Sequence, residues 1–120
     1  MHLDVFSDPV CPWCWIGKRR LAEALALPGC EDVIVTWRAY QLYPELPPEG
    51  LDRETFVRLR FGEGADLSGA RRRIADEAAT VGLELDLGRA ARMPNTLDAH
   101  RLERWAHVHG GAEGQDRMVE

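Results

Sequence analysis

The stretch that decides the fold reads Val10-Cys11-Pro12-Trp13-Cys14-Trp15-Ile16-Gly17-Lys18. It places a Cys-x-x-Cys pair directly after a strand-like segment and at the start of a helix-like one. In an intracellular protein this context is typical of a redox dithiol rather than of a structural disulfide. Because Pro12 has a fixed φ and no N–H to donate, it suits the first position of a helix. The pattern therefore predicts a helix that begins at the dithiol.

Cys11 is the predicted nucleophile. It falls at or just before the N-cap of this helix, where unpaired backbone N–H groups and the helix dipole favour a thiolate. Such settings lower the pKa of a thiol from ~8.5 to roughly 3.5–7.5. Cys14 lies one turn further along the same helical face, so it is placed to resolve a mixed disulfide by attacking its sulfur. Cys11 and Cys14 are therefore the candidate catalytic residues.

Four residues around the two cysteines are expected to contribute to the site or to its packing. Pro12 and Trp13 stand between the cysteines and are expected to shape the site. Trp13 must be partly exposed there, and it either offers an apolar platform to an unfolded substrate or packs against the helix start. Trp15 is expected to lie in the core. Asp8, at the end of the preceding strand, is a candidate for proton transfer.

A structural zinc site is the main alternative for the cysteines. It would use Cys11, Cys14, Cys30 and a histidine as ligands. However, the sequence has no second Cys-x-x-Cys, and His107 and His109 stand too close for the usual pair of zinc-binding histidines. The spacing therefore favours the dithiol, and no metal site is predicted. Cys30 is expected to be a bystander in a turn, with a third redox thiol as the alternative.

Composition limits the class of protein. With 120 residues the sequence makes one domain or less, and 45% hydrophobic with 29% charged residues is an ordinary soluble globular mixture. The net charge is −5, and the basic run Arg71-Arg72-Arg73 is expected to form a solvated helix face rather than a phosphate site. Nucleic-acid binding is therefore not expected. No apolar run has the length of a membrane span.

The N-terminus and the cysteine count predict the compartment. Polar residues interrupt the N-terminal segment before an apolar core could form, so no secretory signal peptide is expected. A Cys11–Cys14 pair leaves the third cysteine unpaired, which fits a reducing compartment. We therefore expect a cytoplasmic protein.

The N-terminal third of the chain reads as a βαβ unit. Leu3–Ser7 alternates apolar and polar residues, as a strand does, and Asp8-Pro9 ends it. A helix is predicted over 12–26, stopped by a Pro-Gly pair. Val33–Trp37 is rich in β-branched residues and suits a parallel strand covered on both faces. A parallel pair with a right-handed helical crossover is expected.

The remaining sequence reads as helical. Asp52 is predicted to cap a helix over 53–61, and a second helix is predicted over 69–81. Asn95 is predicted to cap a third that ends near His109, and a further one opens at Glu113. The third helix is expected to bury one apolar face, made of Ala99, Leu102, Trp105 and Ala106.

The order of the elements predicts how the chain is divided. Residues 1–51 are taken as the N-terminal part of an α/β domain and 52–120 as an incomplete helical insertion. Two strands are too few for a stable sheet covered by helices. The sequence is therefore expected to be the N-terminal part of a longer protein, or to form a homodimer in which a second copy completes the fold.

The dithiol stretch and three later ones together resemble the DsbA-like thioredoxin-fold oxidoreductases of the FrnE type. This superfamily also contains 2-hydroxychromene-2-carboxylate isomerases and kappa-class glutathione transferases, which typically have serine where this chain has Cys11. The later stretches follow the family order over most of the chain. They are Trp37-Arg38 with Leu42-Tyr43-Pro44, then Leu46-Pro47-Pro48-Glu49-Gly50, then Asn95-Thr96-Leu97-Asp98-Ala99-His100-Arg101-Leu102.

The resemblance implies a thioredoxin fold interrupted by an all-helical domain that begins near Asp52. It also implies thiol–disulfide exchange with protein substrates, without a cofactor. Members of the family continue into a closing β–β–α portion with a cis-proline loop that faces the dithiol. Pro94 does not match that loop, so the sequence is expected to be truncated before this portion, which leaves the activity of the chain by itself open.

The glutathione-using relatives supply the rival function. In them the helical region lines the substrate pocket, so the resemblance makes Asn95 and His100 candidate substrate-binding residues. A structural role for each, as a helix cap and as a hydrogen-bonded helix histidine, is the alternative. A glutathione-dependent isomerase or transferase would need one reactive side chain at position 11 and has no use for Cys14. Glutathione remains a candidate co-substrate, and a zinc-stabilised binding domain is the third hypothesis.

Overall fold

Four helices and four strands make up the part of the chain that the structure, a computed structural model, describes: residues 1–119. In chain order they are β1 (His2–Ser7), α1 (Pro12–Leu25), β2 (Ile34–Ala39), β3 (Leu51–Asp52), α2 (Arg53–Phe61), α3 (Ser68–Ala79), β4 (Arg92–Met93) and α4 (Leu97–Met118). None of these helices combines the length and the apolar character that crossing a membrane requires.

The chain divides into two compact units. The first holds Met1–Pro44 together with the chain from Thr96 onward, and the second holds Glu45–Asn95. The division predicted from sequence instead placed the boundary after residue 51 and assigned residues 52–120 to one helical domain. The observed units differ from this division because α4 packs against β2, which makes the last helix part of the first unit.

The first unit opens with the βαβ arrangement predicted from sequence. β1 and β2 pair in parallel, in a register that runs from His2 opposite Ile34 to Ser7 opposite Ala39. α1 connects them and begins at Pro12, as the fixed φ of proline predicts. The α/β class and the helical segment inserted after this unit are confirmed. β2 is less covered than expected, since Ile34 at its start is 45% exposed.

α4 holds the edge of β2 through side chains as well as packing. The backbone N–H of Trp37 donates to Oε1 of Gln115 at 3.0 Å, and Nε2 of Gln115 donates back to the Trp37 carbonyl at 2.9 Å. Gln115 thus bonds to the strand much as a neighbouring strand would. The Lys18 ammonium donates to the Asp116 carbonyl at 2.6 Å, so α1 is tied to the same stretch of α4.

α4 corrects two sequence predictions. Its N-cap is Thr96, so the prediction that Asn95 caps it is wrong. The predicted apolar face is wrong for its two large residues, since Leu102 is 55% and Trp105 56% exposed, whereas Ala106 is buried as predicted. The helix does break at Gly111, with φ 64° and ψ −161°, close to the predicted stop. The face it buries is largely polar and consists of His100, Glu103, Ala106 and Gln115.

The second unit contains α2, α3 and a short antiparallel pair, β3 with β4, that periodicity did not predict. Two residues in each strand carry too little pattern to be recognised. Gly50 precedes this pair with φ +74°, and a Cβ there would stand 2.5 Å from the Met93 carbonyl oxygen. Only glycine fits such a position without strain.

Candidate functional site

The two cysteines of the dithiol lie at the start of α1. Cys11 is the N-cap, with extended backbone angles of −92° and 111° and no side-chain capping bond. Its N–H donates to the Asp8 carbonyl at 2.9 Å, and the Cys14 N–H donates to the Cys11 carbonyl at 3.0 Å. Both thiols are free and partly buried. Pro12, between them, takes the first helical position as predicted.

This setting separates the acidities of the two thiols. The pKa of Cys11 falls from its ordinary value of 9.0 to about 6. The main cause is the hydrogen bond from the Cys14 thiol, and the backbone N–H groups of Cys14 and Trp13 add to it, against burial and the charge of Asp8. The pKa of Cys14 is raised, chiefly because its proton is held by Cys11. The pair can therefore share one proton, with the negative charge on Cys11.

The two tryptophans beside Cys14 both reach solvent. Trp13 is 42% exposed, as its position between the cysteines predicts. Trp15 is 40% exposed, so the prediction that it lies in the core is wrong. Ile16 fills that role instead and is 1% exposed. The start of α1 therefore presents two indole rings beside the thiols.

A buried carboxylate lies behind the dithiol. Asp8 is 2% exposed, and its Oδ2 accepts the Leu42 N–H at 2.7 Å. Its Oδ1 lies 3.5 Å from Nε2 of His100, and neither of these two atoms has a hydrogen-bond partner among residues 1–119. The Asp8 carboxylate also acts electrostatically on both thiols. Asp8 is thus in contact both with the start of α1, through its backbone carbonyl and Cys11, and with His100 of α4, through its side chain.

The other ring nitrogen of His100 does have a hydrogen-bond partner. Its Nδ1 lies 3.0 Å from Oε2 of Glu103, one turn along α4 and also buried. The imidazole therefore stands between two carboxylates, those of Asp8 and Glu103. Sequence reasoning selected His100 and considered Asp8 but missed Glu103. The i, i+3 spacing of a histidine and an acid on one helix was the signal available for it.

The remaining predicted site residue, Asn95, belongs to the second unit. Its side-chain amide donates to the Leu46 carbonyl at 2.6 Å within that unit. Cys30 lies half-buried in the loop before β2, close to the predicted turn. Among residues 1–119 no group of three or more His, Cys, Asp and Glu side chains is placed to hold a metal ion. The four zinc ligands considered from sequence are therefore not assembled there.

Comparison with known proteins gives the family. The sequence profile of the DSBA-like thioredoxin domain matches residues 2–120. The chain belongs to the DSBA-like thioredoxin domain family. The resemblance drawn from the dithiol and the three later stretches is thereby confirmed, and the Cys11–Cys14 pair stands at the helix start in this DsbA-like chain.

Two similar proteins show how much of the chain is matched and how closely. The DsbA-like chain superposes on the crystal structure of a probable DsbA oxidoreductase, SCO1869 from Streptomyces coelicolor, with a TM-score of 0.80 and 28% identity. The match covers 99% of this chain and 52% of that one. YwbO, an uncharacterised protein of Bacillus subtilis strain 168, is 39% identical over 49 residues, which are 41% of this chain and 23% of YwbO. The chain thus spans about half of the solved structure that it matches.

Proposed function

We propose that the protein exchanges disulfides with protein substrates through Cys11 and Cys14. The observation that carries this proposal is the contrast between the two thiols at the start of α1, where the pKa of Cys11 is lowered to about 6. Near neutral pH, Cys11 is then largely thiolate, the form that attacks a disulfide. The exposed Trp13 and Trp15 provide apolar surface for an unfolded chain.

The first step forms a mixed disulfide. The Cys11 thiolate attacks one sulfur of the substrate disulfide, which makes a bond between the two sulfurs and breaks the substrate S–S bond. The second substrate sulfur leaves as a thiolate and takes a proton from water. Cys11 loses its negative charge in this step, so the Cys14 thiol loses the acceptor that held its proton.

The second step releases the substrate. Cys14 gives up its proton and attacks the Cys11 sulfur, which forms the Cys11–Cys14 disulfide and frees the other substrate sulfur as a thiolate. The substrate gains two electrons and the protein is oxidised. We assign the proton of Cys14 to Asp8, because its carboxylate is buried beside the thiols and has one oxygen without a hydrogen-bond partner. His100 would hold that carboxylate in place.

The same steps run backwards when the protein oxidises a substrate dithiol. The direction depends on the reduction potential of the Cys11–Cys14 pair against that of its surroundings. In the cytoplasm, where we place the protein, two molecules of glutathione would reduce the disulfide and leave as oxidised glutathione. Glutathione is in this scheme a reductant, not a bound cofactor.

Single cysteine variants test the proposal. Redox titration of the protein against glutathione, read by thiol alkylation and mass spectrometry, should show a reversible two-electron couple. Cys11→Ser should abolish the couple and all exchange, whereas Cys14→Ser should accumulate mixed disulfides with the substrate. Cys30→Ser is the matched control and should leave both readouts unchanged. Exchange that survives in Cys11→Ser would refute the assignment.

A further inference from the structure

Three arginines of the second unit line one cavity, and two of them, Arg53 and Arg71, form no ion pair among residues 1–119. The cavity measures about 550 Å³, within the usual size range of small-molecule sites, and Arg53 and Arg71 both line it. Arg53 opens α2, and Arg71 lies in the first turns of α3. Their Nε groups are inside the molecular surface and have no hydrogen-bond partner among residues 1–119. Two such donors in one cavity are unusual, since buried polar groups are normally paired.

The two guanidinium groups also act on each other. The pKa of Arg53 is lowered, first by burial and then by the positive charge of Arg71. Arginine keeps its proton under all ordinary conditions, so both charges persist. The Arg53 guanidinium donates a weak hydrogen bond from Nη1 to the Met93 sulfur at 3.9 Å. Like charges held together in this way favour an anion between them.

The acids near the cavity form no ion pair with Arg53 or Arg71 among residues 1–119. Glu54 and Glu63 line the cavity, but Glu63 lies 3.9 Å from Nε of a third arginine, Arg58, and its side chain is 86% exposed. Asp66 responds to the charge of Arg71, but its carboxylate accepts the Ser68 N–H at 2.8 Å. No ion pair of Arg53 or Arg71 is found in the described part of the chain. The two forks of N–H donors are therefore available to a ligand.

We propose that this cavity binds the oxyanion group, phosphoryl or carboxylate, of a small molecule through Arg53 and Arg71. The planar guanidinium presents parallel N–H donors that match both groups in a two-point contact. The room beside the two arginines admits the rest of a small ligand. This site lies in the second unit. It shares no residue with the dithiol, so the proposal is independent of the disulfide exchange proposed for Cys11 and Cys14.

Titration with simple anions tests the site. We would add inorganic phosphate, and separately acetate, to the protein at constant ionic strength and follow the arginine Nε–H signals by ¹H–¹⁵N NMR. Saturable shifts of the Arg53 and Arg71 signals are expected. Arg53→Gln and Arg71→Gln should each weaken binding roughly tenfold or more, the effect of one charge-assisted hydrogen bond. Arg72→Gln, which removes the same charge from the neighbouring position of α3, should change binding less than twofold.

Thermal unfolding separates binding from a structural role. Phosphate, or acetate if the site prefers carboxylates, should raise the melting temperature of the unsubstituted protein and of Arg72→Gln, but not of Arg53→Gln or Arg71→Gln. Without anion, Arg53→Gln and Arg71→Gln should melt no lower than the unsubstituted protein, because each relieves a like-charge contact. The proposal is overturned if neither anion gives saturable shifts, or if Arg72→Gln weakens binding as much as the other two.

Discussion

The helices α1 and α2 begin in opposite ways, although both present the same backbone groups. At α2 the Asp52 carboxylate accepts the Thr55 N–H at 2.9 Å, and Glu54 adds an acid to the first turn. At α1 the N-cap is Cys11, which makes no side-chain capping bond, and the first turn contains no acid. The start of α2 is therefore capped by a side-chain hydrogen bond, whereas the N-cap position of α1 is occupied by a thiol without such a bond.

The difference shows how one physical feature serves stability or chemistry. At Asp52 the Thr55 N–H lowers the pKa of a carboxyl that would be ionised anyway, so the gain goes into holding the helix. At Cys11 the N–H groups of the helix start help to ionise a thiol that would otherwise stay protonated at neutral pH. The same kind of donor therefore caps a helix in one place and, together with the larger effect of the Cys14 thiol, lowers the pKa of a thiol in the other.

The largest effect should come from removing the thiol beside Cys11. Cys14→Ala deletes the main cause of the lowered pKa of Cys11 and leaves the backbone N–H groups of the helix start in place. We expect the pKa of Cys11 to rise from about 6 toward its ordinary 9.0. The rise should be roughly one to two units, the effect of one hydrogen bond to a charged group.

The rate of alkylation of Cys11 against pH measures that shift. In Cys14→Ala the midpoint of the curve should move to higher pH, so that alkylation at pH 7 becomes slower. Cys30→Ala serves as the control, since its removal should leave the midpoint in place. An unmoved midpoint in Cys14→Ala would mean that the backbone N–H groups of the helix start stabilise the thiolate without help from the Cys14 thiol.

A smaller effect should follow from opening the cap of α2. Asp52→Ala leaves the Thr55 N–H without its acceptor and should lower the melting temperature by a few degrees. Asp52→Asn keeps an acceptor and should restore most of the loss. Because the pKa of Asp52 is lowered by folding, its stabilisation is present above the unfolded value and is lost as pH falls through the folded value. The melting temperatures of the unsubstituted protein and of Asp52→Ala should therefore converge as the pH is lowered from 7 to about 2.

The smallest shift should come from Asp8, whose charge weakly opposes the Cys11 thiolate. Asp8→Asn should lower the midpoint of Cys11 alkylation by a fraction of a pH unit. If Asp8 also takes the proton of Cys14, the same variant should release substrate from the mixed disulfide more slowly. A loss of packing alone would not produce this combination of a more acidic Cys11 and a slower second step. Unchanged release would remove Asp8 from the proton path.

Local patterns explain why the dithiol helix and the cap of α2 were predictable. Pro12 and Asp52 act on their own neighbours within one turn, so short spacing is enough to recognise them. The predicted helix over 53–61 agrees with α2, and the predicted start of α1 agrees with the structure. The two-residue strands β3 and β4 lack such a pattern, because their pairing depends on residues that are distant in sequence.

Polar burial explains the predictions that failed. Sequence reasoning placed apolar residues of α4 inside, but Trp105 is exposed, while His100 and Glu103 are buried. The basic run of α3 was predicted to form a solvated helix face, and Arg72 and Arg73 are exposed, but the Nε of Arg71 is inside the surface. Periodicity ranks side chains by hydrophobicity, and it cannot register a polar side chain that is buried against a partner from another element.

The sequence by itself determined where the candidate redox site of this protein lies. The Cys-x-x-Cys spacing, Pro12 and the strand before it place a thiol at a helix start, because these residues act over one turn of backbone. Tertiary structure alone decided which distant residues meet within each unit: His100 with Asp8 and Gln115 with β2 in the first, and Arg53 with Arg71 on one cavity in the second. Each of these arrangements joins residues that are remote in the chain, and only packing brings such groups within reach of one another.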